Sequence, residues 1–328
     1  MPAQTPRRRL LRALALVPAA LAAPAGAQAP YPSRPVRILV GSAAGGATDI
    51  TARILAEAMT DAFPRGFAIE NRTGAGGNIA AEAAAHAPPD GYTLLMNDAA
   101  MMAINPVLYR QVPFDPARDF TAIALVAEFP FVIVVHPSMP VRTLTEFAAW
   151  ARTQAEPVLY ASPSSGSQHH LGMEQLAARL GFRVSHVGFR GGGPATTALL
   201  GRQIIAGSIG LPPLVPHLRD GRLRALAVST ESRSPLAPDV PTIAEAAVPG
   251  LSLAVWYGIV GPRGTPAEVV QHVGTALAEA LARPDVVQKL AAQGLSVRYL
   301  PAGGFDAFMA TERVIWGEAA RAANITID

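Results

Sequence analysis

Four stretches of this chain set glycine beside small hydroxyl or amide residues in a way that suits holding an anion on backbone N–H groups. They are Gly41-Ser-Ala-Ala-Gly-Gly-Ala-Thr-Asp49, Gly74-Ala-Gly-Gly-Asn78, Ser162-Pro-Ser-Ser-Gly-Ser-Gln168 with His169-His170 behind it, and Arg190-Gly-Gly-Gly-Pro-Ala195. The first turn of a helix leaves N–H groups without intrahelical partners, and a glycine loop in front of it lets an anion approach them closely. The candidate ligand contacts are therefore Ser42, Ala43, Ala44, Gly45, Gly46 and Asp49 in the first stretch and Gly76, Gly77 and Asn78 in the second. Ser164, Ser165, Gly166, Ser167 and His169 follow in the third, then Arg190 and Gly191 in the fourth, with Asn97 at the end of an intervening strand. The first loop lacks the Gly-Lys-Ser/Thr of a phosphate loop and the glycine spacing of a dinucleotide fingerprint. A tight strand-to-helix connection that binds nothing stays open as the alternative.

Each candidate has a plainer role beside the functional one. Asp49 would repel an anion, so bracing the loop and complementing the helix N-terminus is the expected job, with contact to a ligand ammonium as the alternative. Ser164, Ser165 and Ser167 can offer hydroxyls to a ligand or simply cap the helix behind them. His169 and His170 are adjacent, so on a helix they point about 100° apart and cannot grip one metal; one of them is expected to cap or line the site. Arg190 could clasp a carboxylate with both guanidinium nitrogens or lie on the surface. Trp150, Trp256 and Trp316 are expected in core or hinge packing. Ala206-Gly-Ser-Ile-Gly210 resembles a nucleophile elbow that His217 or His272 would serve, but Leu211-Pro212-Pro213 stands where the elbow needs a helix, which argues against a hydrolase. No metal or cofactor signature is present, and the chain is expected to work without either.

The elements that position these loops follow from periodicity. Val36, Ile38, Leu39 and Val40 predict a short buried strand, and Ile50, Ile54, Leu55, Ala58 and Met59 recur at helical spacing behind the first loop. Phe67–Glu70 and Tyr92–Met96 read as further strands around an alanine-rich helix from Ile79 to His86, a pattern that indicates a parallel sheet with right-handed crossovers. In such sheets ligands sit beyond the carboxyl ends of the strands, where the first two loops and Asn97-Asp98 all fall. Ala122 to Val135 reads as one long buried strand. Val158–Ala161 and His186–Phe189 repeat the strand-loop-helix logic, and Leu223–Val228 and Trp256–Val260 read as returning strands. Thr265 is predicted to cap a helix through Leu281, with helices at Pro284–Gly294 and from Glu312 onward.

The 328 residues, half of them hydrophobic, allow one large or two ordinary cores. Arg7-Arg8-Arg9-Leu10-Leu11-Arg12, an apolar run to Ala23 and the small residues Ala25-Gly26-Ala27 predict a secretory signal over 1–27, exported by the general or the twin-arginine route. Removing Arg7, Arg8, Arg9 and Arg12 takes the formal net charge from +3 to −1, so no nucleic-acid partner is implied. Absence of cysteine excludes a disulfide framework.

Gly45-Gly-x-x-Asp49-x-x-x-Arg53, Asn71-Arg-x-Gly-Ala-Gly-Gly77, Pro89-Asp-Gly-Tyr-Thr-Leu94 and Phe114-Asp-Pro-x-x-Asp-Phe120 resemble the Bug family, the periplasmic solute receptors of tripartite tricarboxylate transporters. Ser165-Gly-Ser-x-x-His170-Leu171, Gly191-Gly-Gly-Pro-Ala195, Gly221-x-Leu-Arg-Ala-Leu-Ala227 and Pro238-Asp-Val-Pro-Thr242 extend the likeness over the mature chain. The resemblance implies an α/β periplasmic binding protein fold of type II topology whose two lobes close on a ligand cleft. Lobe 1 is expected at 31–128 plus 229–303 and lobe 2 at 129–228, with a C-terminal helix over 304–328 on either lobe. It further implies capture of a small organic carboxylate, such as a di- or tricarboxylate, by a monomer in the periplasm and delivery to membrane transporter subunits. A ligand-sensing receptor for a membrane signalling protein is the alternative. The first two loops would hold one end of the ligand, and Ser164–His170 with Arg190–Ala195 the other. Gly-Ser-Ala-Ala at 41–44 stands where the family commonly has a proline-rich segment, so no particular ligand is inherited.

Overall fold

A computed structural model describes residues 31–189 and 191–322. Residues 1–30, which hold the expected signal, lie outside the described residues, as do Arg190 and 323–328. The strands are β1 (Val36–Val40), β2 (Phe67–Asn71), β3 (Thr93–Asp98), β4 (Phe120–Phe129), β5 (Phe131–Val135), β6 (Val158–Ser162), β7 (Val184–Gly188), β8 (Ala206–Gly210), β9 (Arg224–Val228), β10 (Val255–Pro262) and β11 (Ser296–Pro301). The helices are α1 (Ala47–Ala58), α2 (Asn78–Ala85), α3 (Asn105–Leu108), α4 (Leu144–Arg152), α5 (Gln168–Leu180), α6 (Gly192–Leu200), α7 (Val215–Arg219), α8 (Ile243–Ala246), α9 (Ala267–Ala282), α10 (Pro284–Ala292) and α11 (Ala302–Ala322).

The strands build two mixed sheets within one compact unit that starts at Pro32. The first runs β11-β4-β10-β3-β1-β2, with β1 parallel to both β2 and β3 and β10 antiparallel to β3 and β4. The second runs β7-β6-β8-β5-β9, with β6 parallel to β7 and β8 and β5 antiparallel to β8 and β9. Parallel strands occupy the glycine-loop side of each sheet, and the antiparallel strands are those beside which the chain passes between sheets.

That passage corrects one sequence expectation. Ala122–Val135 is not one strand: β4 ends at Phe129 in the first sheet and β5 starts at Phe131 in the second. Pro130 between them has no N–H to give to a ladder, so pairing must stop there and the chain is free to change partners. The return passage lies alongside. Phe131 N–H donates to Ser229 Oγ at 3.0 Å, and Ser229 N–H donates to the Phe131 carbonyl at 2.9 Å. Two crossing segments are thus hydrogen-bonded side by side at their midpoint.

The core is continuous across this junction. Leu39, Leu95, Phe131, Ile133, Trp256 and Trp316 belong to one buried apolar cluster. Helix α11 begins at Ala302, two residues before the C-terminal helix expected from 304 and ten before the helical stretch read from Glu312, and it packs against both β4 and α5, one from each sheet's layer. Glu312 joins it to the first sheet, its Oε2 accepting from Trp256 Nε1 and Trp316 Nε1, each at 2.7 Å. Strands β8 and β11 were not foreseen; Ala206–Gly210, the elbow-like stretch, is a strand interior. Thr265 does not cap α9: its hydroxyl donates to the Pro262 carbonyl at 2.7 Å, and Pro266 occupies the N-cap position. Among the described residues no helix is long and apolar enough to cross a membrane.

Candidate functional site

The first two glycine loops meet at the carboxyl ends of β1, β2 and β3. A Cβ placed on Gly41 would stand 2.8 Å from the Cα of Gly77, so the end of β1 lies against the second loop with room for hydrogen only. Asn71 at the end of β2 ties the pair together, its Nδ2 donating to the Ser42 carbonyl at 3.0 Å and to Asp49 Oδ1 at 2.9 Å. Gly77 takes φ +95° as the N-cap of α2, a conformation that L side chains rarely adopt. Gly46 and Gly77 precede α1 and α2 with no side chain capping either helix. The first-turn N–H groups are thereby left to solvent or to a ligand.

Asp49 sits under its loop. Its Oδ2 accepts from Gly45 N–H at 2.9 Å and from Arg53 Nε at 3.0 Å, while Oδ1 takes Asn71. The Arg53 hydrogen bond, helped by Gly45 and Asn71 and opposed by burial, holds its pKa down to about 2. The carboxylate is therefore spent on loop geometry, as the charge argument anticipated. Asn78 is buried likewise, its Oδ1 accepting from Asn105 Nδ2 at 2.7 Å. Ser42 Oγ is buried without a hydrogen-bond partner among the described residues. Asn97 does not join the loops: its side chain runs toward α11, where Nδ2 lies 3.7 Å from Met309 S. Its neighbour Asp98 faces the other way. Burial raises the Asp98 pKa to about 6, against the hydrogen bonds from Met101 and Ala100 N–H.

The second pair of loops meets in the same manner at the ends of β6 and β7. Phe189 N–H donates to the Ser162 carbonyl and Gly191 N–H to the Pro163 carbonyl, each at 2.9 Å. A Cβ on Gly188 would lie 2.9 Å from Ser165 Oγ. Ser164 and Ser165 are exposed at the loop tip, whereas Ser167 caps α5, its Oγ accepting from His170 N–H at 3.3 Å. The capping role weighed for Ser167 is thus the one observed. Gly166 is buried, with its N–H on His170 Nδ1 at 3.1 Å. Gly191, at φ +108°, precedes α6 and again leaves it without a side-chain cap.

A file of contacts connects the two pairs of loops through the crossing strands. The Thr48 side chain in the first turn of α1 lies close enough to Tyr257, the register partner of Asp98, to oppose the burial that raises the tyrosine's pKa. The Tyr257 ring lies 5.6 Å from that of Phe129. Gly210 then sits between Phe129 and His169, since a Cβ there would be 3.8 Å from each. His169 opens α5, its ring 5.6 Å from Phe131, and desolvation lowers its pKa to about 4. Beside it, Gln168 Nε2 donates to the Ala254 carbonyl of the return passage at 3.0 Å. The first turns of α1 and α5 therefore approach one junction from the two sheets. Tyr257 escaped the sequence reading, since a polar residue inside a buried strand gives no periodic signal; Thr48 lay within the first loop and His170 was weighed only beside His169.

The sequence and the fold match known proteins. The family model for the tripartite tricarboxylate transporter family receptor matches residues 51–325. The chain belongs to this family. A curated member, Protein BugT of Bordetella pertussis, is 33% identical over 304 residues, covering 92% of this chain and 93% of that protein. Among solved structures, R. palustris Rpa4515 with adipate aligns at TM-score 0.77 and 33% identity over 90% of this chain and 99% of its own. MatC (Rpa3494) from Rhodopseudomonas palustris with bound malate aligns at TM-score 0.73 and 32% identity, over 88% and 100%. The tricarboxylate-transporter receptors are periplasmic solute-binding proteins, and the two-sheet α/β architecture with two crossing passages is the expected type II binding fold. Among the described residues no group of three or more His, Asp or Glu could hold a metal. His169 and His170 diverge as neighbours on a helix must, one toward Phe131 and the other toward His186.

Proposed function

We propose that the protein captures a small dicarboxylate or tricarboxylate in the periplasm and hands it to the membrane subunits of a tripartite tricarboxylate transporter. One carboxylate would be received by N–H groups of the Ser42–Ala47 and Gly76–Asn78 loops, and the far end by the Ser164 and Ser165 hydroxyls and the uncapped first turn of α6 behind Gly191. Arg190 would stand beside the second group by sequence. Neutral donors suit a carrier, because a ligand held by aligned N–H dipoles and hydroxyls is released more easily than one locked in a buried ion pair.

The observation that supports this reading is the file Thr48–Tyr257–Phe129–Gly210–His169, which brings the uncapped start of α1 and the Ser167-capped start of α5 to one junction. That solved relatives hold adipate and malate supports a carboxylate as cargo. The test is a thermal-shift titration of the mature protein with mono-, di- and tricarboxylates. Saturable stabilisation by at least one is expected, rising by about 2.7 kcal/mol at a hundredfold excess over Kd. Stabilisation by none of them, with a different class of molecule co-purifying in native mass spectrometry, would overturn it.

A further inference from the structure

Beneath the second loop lies a cluster of buried titratable groups that the carboxylate reading does not use. The imidazoles of His170 on α5 and His186 on β7 are stacked, with ring centroids 3.7 Å apart and planes inclined by 11°. Because Gly166 N–H donates to His170 Nδ1, that nitrogen carries no proton and His170 is the Nε2–H tautomer. Ser162 Oγ donates its one proton to the Ser164 carbonyl at 3.0 Å, so its contact with His186 Nε2 at 2.7 Å must be accepted from a ring N–H. Ser167 Oγ also donates to the Ser164 carbonyl, at 2.7 Å. Two hydroxyls thus draw one carbonyl inward, and one of them is itself aimed by His186.

From this arrangement, and resting on the carboxylate reading of the cleft, we propose that His170 and His186 are positioning residues for the anion-facing loop. They turn the Ser164 carbonyl and the Gly166 N–H into the lobe, and they do so only while both rings are neutral. An outward carbonyl would repel a carboxylate, so drawing it inward leaves the exposed face of the loop to N–H groups and the Ser165 hydroxyl. A proton on His170 Nδ1 removes the acceptor of Gly166, and a second cation stacked 3.7 Å away repels the first. Burial, with the neighbouring imidazole, depresses the His170 pKa to about 4, and burial does the same for His186. The other groups facing the pair are Glu174, whose Oε1 is 3.8 Å from His170 Nε2, and Tyr160, whose hydroxyl lies 3.0 Å from Glu174 Oε1 and 3.1 Å from the His170 carbonyl and has one proton to share between them. Burial raises the pKa of both. At 3.8 Å the Glu174 carboxylate lies beyond hydrogen-bond distance of His170 Nε2.

The test compares wild type with His170→Asn, whose Oδ1 can take the place of Nδ1 as acceptor but does not titrate, and with His170→Leu. The Gly166 amide is followed by NMR from pH 7 to pH 3 without ligand, and adipate and malate affinities are measured over the same range. The wild-type Gly166 resonance should move with a midpoint near pH 4, and that of His170→Asn should not. At pH 7 His170→Asn should bind like wild type, and His170→Leu about tenfold more weakly. Ligand titration affects wild type and His170→Asn alike, so only their difference counts. A Gly166 resonance that ignores pH, or wild-type affinity in His170→Leu, would overturn the proposal. If neither ligand binds any variant, the carboxylate reading fails while the Gly166 resonance still decides the role of the pair.

Discussion

Gly41 and Gly77, thirty-six positions apart in the sequence, touch so closely that a Cβ on the first would stand 2.8 Å from the Cα of the second. Their contact fuses two glycine loops into one rim. The obstructing atom is backbone, so it cannot rotate away. Gly41→Ala should therefore cost about 1–3 kcal/mol of stability and part the loops. Chemical denaturation would show the first effect, and a rise in Kd for whichever carboxylate stabilises the wild type the second. An unchanged Kd would mean that the rim does not meet the ligand.

Asp49 predicts an acid-side loss of stability. Its pKa falls from 3.8 to about 2 in the folded protein, so its contribution is complete above pH 4 and lost as pH falls toward 2. The shift corresponds to about 1–2 kcal/mol once discounted for the partly exposed Arg53 partner. Asp49→Asn should lose that amount at pH 7 and show a flatter stability profile between pH 4 and 2. Urea midpoints at matched pH values check both.

Glu312 predicts the opposite pH slope. Burial raises its pKa above the ordinary carboxylate value, so folding favours the protonated form and the group's contribution declines as pH rises through that interval. Glu312→Leu leaves the Trp256 and Trp316 indole N–H groups buried without an acceptor and should cost about 2–4 kcal/mol. Glu312→Gln keeps an acceptor, should cost less than half as much, and should remove the slope. Thermal denaturation across pH 4 to 7 separates the three proteins.

Ser208 predicts a null result with content. Its hydroxyl is fully buried in β8 and has no hydrogen-bond partner among the described residues. Ser208→Ala should be neutral or stabilising by up to about 1 kcal/mol, with carboxylate binding unchanged. Hydrolysis of an activated ester by wild type that vanishes in Ser208→Ala would instead revive the nucleophile-elbow reading.

The loops and helix starts were legible in the sequence because their signals are local. Val36–Val40 gave an apolar run and appears as β1, as expected, and Thr242 and Glu245, three positions apart, form a capping box with reciprocal bonds at 3.1 and 2.8 Å. Asn97 and Asp98 show where that legibility stops. Alternation along β3 sends one residue to α11 and the other toward Tyr257, and which face meets which layer is set by β10, paired from more than 150 residues away.

By itself the sequence determined where the glycine loops fall, the parallel strand-helix units and, through the order of its motifs, the family, since each depends on residues within a few turns of one another. Only the tertiary structure decided that Pro130 splits one apolar run between two sheets and that α11 packs on both layers. It alone stacked His170 on His186 beneath the second loop. An apolar run is equally content in either sheet, and an imidazole carries no record of its neighbour, so both outcomes had to wait for the packing of distant segments.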